Sequence, residues 1–369
     1  MGKITFAYLT IFIITNIFVK QIAAKQIVTF QDTSKSRTYY SEDTTFENSS
    51  AAISLAGTLT LPKKDGKCPA VILISGNGQQ NRDAEFSGHK PFLIIADFLT
   101  KNEIAVLRFD KRGVGLSKGD YKTATTLDIS TDVEAALKYL QTRKEIDKNK
   151  IGLIGHSEGG LLAPIVAIKS NAIAFIVLLA GPGIPGDQLL LLQQSSIAKT
   201  SGVSKLEIQK SKDLNQKAFE IVKKTKDPEE LKIQMTNYIK EISKGDPDKP
   251  DEMTEDEYVN LQVNKILSPW MVFFLRYNPA IVLEKVKCPV LALNGTNDLQ
   301  VPPKENLNAI KKALINGGNR NFVTKELPKL NHLFQESKTG LPKEYGKIEQ
   351  SFSPIALNEI LKWIKKIVK

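Results

Sequence analysis

Apolar residues along this chain gather into short unbroken runs separated by amphipathic stretches. Residues 70–75 (AVILIS), 104–109 (IAVLRF), 151–155 (IGLIG), 174–180 (AFIVLLA) and 290–294 (VLALN) have hardly a polar interruption. Runs of this length predict strands covered on both faces. Ile53, Leu55, Gly57, Leu59 and Leu61 instead alternate with polar or small residues and predict a half-buried strand closed by Pro62. A further strand is expected over 321–327. Between the runs, Ile129, Val133, Ala136, Leu137 and Leu140 recur at helical spacing and form one apolar stripe. Alternation of this kind predicts an α/β fold with a mostly parallel central sheet and helices on both faces.

Residues 185–280 break that rhythm. Asp227-Pro228-Glu229-Glu230 combines a capping Asp, a proline at the first helical position and an acidic third residue. Thr254-Glu255-Asp256-Glu257 starts a second helix in the same manner, and 245–251 (GDPDKPD) between them is a loop by composition. The block reads as a helical cap, about residues 187–280, inserted between two strands. No internal repeat is visible.

At the other end, Lys3 precedes a mostly apolar run of 16 residues, closed by Lys20 and followed by small residues at 23–24. The run is short for a membrane span, which needs roughly 20 apolar residues, and reads as an export leader over 1–24. The expected destination is the periplasm or the medium, with no stable membrane insertion once the leader is removed. Residues 25–40 are polar and aperiodic, a linker, which leaves 41–369 as the folded domain.

Composition narrows the class. With 41% hydrophobic and 25% charged residues the chain is neither disordered nor a multi-spanning membrane protein. The net charge of +11 is spread along the chain, without the aromatic-basic interleaving or motifs of a nucleic-acid partner. Lys362, Lys365, Lys366 and Lys369 interleave with Leu361, Trp363, Ile364, Ile367 and Val368, a terminal helix expected to pack on the sheet. Two cysteines exclude a disulfide scaffold and a four-cysteine zinc site.

The chemistry concentrates at strand ends. Gly155-His156-Ser157-Glu158-Gly159 matches G-x-S-x-G between a buried strand and an apolar helix, the setting of a nucleophile elbow. Only three histidines are available as a base. His156 adjoins the serine and is expected to pack or hydrogen-bond beside the strand. His89 lies ahead of a helix over 92–100, where a structural or pocket-lining role is expected. His332 follows the 321–327 strand, where a base would reach the carboxyl edge of the sheet. Asp298 lies just beyond the 290–294 strand, 34 residues before His332, as the acid that would hold the imidazole. The order Ser157, Asp298, His332 is the expected one for such a triad. For the oxyanion, the backbone N–H groups of Glu158 and of Asn77, in Ser75-Gly76-Asn77-Gly78 after another strand, are the candidate donors. A dinucleotide site is excluded there, because Asn81 stands where the third glycine would be. Asp110 and Arg112 are expected to be structural. The aromatic stretch around Trp270, Phe273 and Phe274 is the candidate lining of an acyl pocket.

Together the segments 75–83 (SGNGQQNRD), 88–92 (GHKPF), 110–117 (DKRGVGLS), 155–160 (GHSEGG), 181–186 (GPGIPG) and 295–302 (GTNDLQVP) make the chain resemble the α/β-hydrolase family over roughly 40–369. The resemblance is strongest to its secreted bacterial carboxylesterases, the serine aminopeptidase-like hydrolases. It departs from the common HGGG oxyanion loop in having Ser75 in place of His. It implies a serine triad without metal or cofactor, cleaving small carboxylic esters through an acyl-enzyme. The alternative is a serine exopeptidase acting on short peptides, for which Asp246, Asp248, Asp251 and Glu252 could receive an ammonium group. The usual strand order of the family implies that two other strands separate those led by Cys68 and Cys288, too far for a bridge, so both are expected to be free thiols.

Overall fold

The computed structural model describes residues 38–244 and 249–369. The expected leader, residues 25–37 of the expected linker, and Asp246 and Asp248 lie outside them. The chain divides into two compact units, a sheet unit that runs to Ile184 and resumes over Asn278–Lys369, and a helical unit, Pro185–Tyr277.

The sheet unit holds strands β1 (Tyr40–Asn48), β2 (Ile53–Leu61), β3 (Cys68–Ile74), β4 (Ala105–Phe109), β5 (Ile146–His156), β6 (Ile173–Leu179), β7 (Val290–Gly295) and β8 (Phe322–Leu327). They form one sheet in the order β1-β2-β4-β3-β5-β6-β7-β8. From β4 to β8 every pairing is parallel, while β1 and β2 run antiparallel at one edge. Helices α1 (Pro91–Lys101), α2 (Thr126–Thr142) and α3 (Gly159–Ala167) connect the first strands.

The continuous apolar runs have a direct structural reading. In β3, Ala70, Ile72 and Ile74 join one core with Ile129, Val133, Ala136 and Leu140 of α2 and with Leu162 and Val166 of α3. Val71 and Leu73 face the opposite core, with Phe92, Ile95 and Leu99 of α1. Alternate side chains go to opposite faces, and both faces are covered, so no position of the strand is left for a polar residue. The helix α2 starts where Thr125 and Asp128 form a reciprocal capping box.

Two expectations are corrected at the antiparallel edge. The strand β1 (YSEDTTFEN) is added; only Phe46 and Asn48 of it are buried, so its sequence carries little apolar signal. It pairs with β2 from Tyr40↔Leu61 to Asn48↔Ile53. β2 is therefore internal and buried from Leu55 onward rather than half-buried. Its alternating polar residues are satisfied by hydrogen bonds instead of water: Thr58 donates to Asp43 (2.8 Å) and the Thr60 and Thr100 hydroxyls are 2.7 Å apart.

The helical unit consists of α4 (Gly186–Thr200), α5 (Lys205–Lys224), α6 (Pro228–Ile242), α7 (Glu255–Ile266) and α8 (Pro269–Arg276). The Asp227 side chain caps α6 and a Thr254–Glu257 box caps α7. Arg276 donates to the Val222 and Thr225 carbonyls at the end of α5, 2.9 and 2.7 Å. No helix among the described residues is long and apolar enough to cross a membrane.

Back in the sheet unit, α9 (Pro279–Leu283), α10 (Pro303–Asn316), α11 (Pro342–Tyr345) and α12 (Pro354–Ile367) complete the chain. The terminal helix α12 buries Leu357, Ile360 and Ile364 in the α1 core, and Trp363 meets Phe175 of β6 edge-on at 5.8 Å. Cys68 on β3 and Cys288 just before β7 are both free, with β5 and β6 between these strands.

Candidate active site

Four parallel strands, with β6 between β5 and β7, end along the same edge of the sheet, and each is followed at its carboxyl end by one candidate residue group. Ser75-Gly76-Asn77 follows β3, Ser157 follows β5, Asp298 follows β7 and His332 follows β8. Crevices at the carboxyl ends of such strands are where open α/β sheets bind ligands.

Ser157 stands at φ +55°, left-handed for a residue with a side chain, between β5 and α3. Its N–H donates to the Leu179 carbonyl at 2.9 Å, and its own carbonyl accepts from Gly160 N–H at 2.8 Å. So sharp a reversal brings backbone against backbone. A Cβ on Gly155 would lie 2.0 Å from the Gly159 carbonyl oxygen, and one on Gly159 would lie 2.2 Å from that of Ile74. Both motif glycines are required by contact. A Cβ on Gly76 would fall 3.0 Å from the Ser157 Cβ and 3.5 Å from its Oγ, so the β3 loop passes directly beside the serine.

Asp298 and His332 meet. The His332 Nδ1–H donates to Asp298 Oδ2 at 2.9 Å, with both side chains buried. The other carboxylate oxygen accepts the N–H groups of Gln300 (2.8 Å) and Val301 (2.9 Å), which fix the plane of the acid. With its proton on Nδ1, a neutral His332 keeps Nε2 as an acceptor. Its loop is braced by Asn331, whose Oδ1 accepts from Leu333 and Gln335 N–H, both at 3.0 Å.

The other histidines hold this arrangement together. His156 Nε2 lies 2.8 Å from the His332 carbonyl oxygen, which can only accept, so His156 carries its proton there. The rings of His156 and His332 are 4.9 Å apart. Burial, reinforced by the neighbouring His332, pushes the His156 pKa down to about 3. His89 is buried, with Nδ1 2.9 Å from the Ser351 hydroxyl and Nε2 3.0 Å from the Tyr345 carbonyl. That carbonyl also accepts from Gln335, and the Tyr345 hydroxyl accepts from Gln300, so His89 supports the ground under both Asp298 and His332.

The candidate oxyanion loop after β3 is equally constrained. Asn77 Oδ1 accepts from the Gly78 N–H (2.8 Å) and the Tyr121 hydroxyl (2.5 Å). Lys111 and Glu158 form a buried ion pair at 3.2 Å beside it. Asp110 takes Arg82 and Arg112 takes Asp132, both as frame contacts. Tyr121 and Thr126, whose hydroxyl donates to Glu158 Oε1 at 2.8 Å, carry no motif that marks them in the sequence. The only signal for Lys111 was its place between two structural residues of the 110–117 motif, since a lysine ordinarily reads as surface.

Trp270, Phe273 and Phe274 belong to the helical unit, on α8. Trp270 and Phe274 stack at 4.9 Å, Phe273 stacks on Tyr277 at 5.1 Å, and Phe274 is buried. Asp251 and Glu252 are exposed. Among the described residues no group of three His, Cys, Asp or Glu side chains is placed to hold a metal ion.

Comparison with known proteins bears on this geometry. The model of the family described as serine aminopeptidase, S33, matches residues 91–335. Esterase EstD of Thermotoga maritima is 26% identical over 332 residues, covering 89% of this chain and 69% of the esterase. An uncharacterised 31.7 kDa protein of Escherichia coli is 25% identical over 255 residues, covering 68% of this chain and 80% of that protein. Among solved structures, the Pyrococcus furiosus esterase Pf2001 superposes with TM-score 0.53 at 15% identity, over 90% of this chain and 92% of that one. The α/β hydrolase GrgF from Penicillium sp. sh18 gives 0.53 at 15%, over 89% and 98%. The structural likenesses speak for the fold alone.

Proposed function

Because the chain belongs to the serine aminopeptidase S33 family of α/β-hydrolases, we propose that it is a carboxylesterase working through Ser157, His332 and Asp298. The single observation that carries the reading is the oriented pair: Asp298, pinned by two backbone N–H groups, receives the His332 Nδ1–H at 2.9 Å, and the loop of that histidine is bonded to the residue next to the strained serine. In the proposed reaction His332 Nε2 takes the Ser157 proton while Oγ attacks the ester carbonyl. The carbonyl electrons move onto oxygen, which the Glu158 and Asn77 N–H groups bind. The alcohol leaves with the proton from His332. Water, deprotonated by the same histidine, then releases the carboxylic acid and regenerates the serine.

The likeness to the Thermotoga maritima esterase supports ester over peptide as substrate. For the exopeptidase alternative, the described cap carboxylates Asp251 and Glu252 are exposed, where an ammonium would gain little against water. The leader-like residues 1–24 extend the proposal to export.

Steady-state kinetics on one sample tests the reading. Short-chain nitrophenyl esters should turn over with kcat/KM far above that of aminoacyl anilides, and Ser157→Ala should abolish both. Anilide turnover exceeding ester turnover would transfer the assignment to the exopeptidase.

A further inference from the structure

A lysine and a glutamate, each only 2% exposed, lie beside the nucleophile. Apolar replacements of a buried ion pair are often neutral or stabilising, so stability alone does not account for this one. Its contacts suggest another use. Lys111 Nζ lies 2.5 Å from the Gly76 carbonyl oxygen and 3.2 Å from Glu158 Oε2. Glu158 Oε1 accepts the Thr126 hydroxyl at 2.8 Å, and the ammonium sits 5.2 Å over the Tyr121 ring. The Tyr121 hydroxyl in turn bonds Asn77 Oδ1 and accepts Gly78 N–H at 2.7 Å.

The Gly76 carbonyl and the Asn77 N–H are the two ends of one peptide unit. The unit is trans, so they point in opposite directions. A cation held on the carbonyl therefore fixes where the N–H points and, by drawing charge toward oxygen, strengthens it as a donor. The same cation grips the side chain of Glu158, whose own N–H is the other proposed donor. Resting on the esterase reading above, we infer that Lys111 is a positioning residue that clamps both halves of the oxyanion hole, the Asn77 amide through the Gly76 carbonyl and the Glu158 amide through its side chain.

Lys111→Met alone would strand a buried carboxylate, so the deciding variant is Lys111→Met/Glu158→Gln, which removes both charges and keeps both backbone donors. The clamp predicts a folded protein whose kcat for a nitrophenyl ester falls by about 10²-fold, the lower range for loss of one oxyanion donor. KM should stay unchanged, because the hole binds charge that develops only in the transition state. Affinity for an alkyl boronic acid, which forms a tetrahedral adduct on serine, should weaken by the same factor as kcat/KM. A folded double variant with wild-type kcat and boronate affinity would overturn the clamp and leave the esterase intact. A wild-type protein that turns over no ester would overturn both.

Discussion

Ser157 at φ +55° illustrates how local strain and chemistry share a position. A side chain held there costs about 1–3 kcal/mol, and the surrounding contacts must hold it. The flanking glycines, the scarcity of histidines and the chain order made Ser157, Asp298 and His332 legible as candidates, and a hydrogen bond joins the last two. The buried place of Lys111 was not legible, because a lysine buried against a carbonyl and a lysine in water look alike in sequence. His156 also carries a pH prediction. Its pKa falls from the ordinary 6.5 to about 3 on folding, so the unfolded chain binds a proton that the folded one refuses. Stability is full above about pH 6.5 and declines as the pH falls toward 3, and His89, lowered by burial, adds in the same direction. Melting temperatures of wild type and His156→Gln between pH 7 and 4 should converge as the pH drops; parallel curves would contradict the assignment. For the triad, Asp298→Asn should lower kcat by about 10⁴-fold while leaving a folded protein, since the acid sets the tautomer rather than reacting.

Among the elements, those with continuous apolar runs were readable and the edge of the sheet was not. β1 has a polar sequence because one face meets solvent, and β2 imitated a half-buried strand because its threonines find partners inside the protein. The capped starts of α6 and α7 were readable because a cap is a local contact, complete within four residues. The junction of β3, β5 and α3 is the least tolerant. Gly159→Ala would press a methyl group onto the Ile74 carbonyl, and it should destabilise the protein by about 3 kcal/mol or more, read as a lower denaturant midpoint. On α8, Trp270→Ala removes a ring stack worth about 1 kcal/mol.

For the molecule as a whole, the order of the strands carries information that no single segment holds. The placement of Cys68 on β3 and of Cys288 just before β7, with two strands between these two, predicts two thiols by titration in denaturant. In the native protein both should react slowly, because burial raises each pKa to about 11. The same order sets the β3, β5, β7 and β8 ends along one edge, where the proposed acyl transfer would take place. That reading depends above all on the reactivity of one serine. Wild-type enzyme treated with an alkyl fluorophosphonate, digested and mapped by mass spectrometry measures it directly. One adduct per chain is expected, on Ser157, forming at the rate at which ester turnover is lost. Active, folded protein that stays unlabelled at Ser157 while the reagent inactivates it elsewhere would contradict that reading.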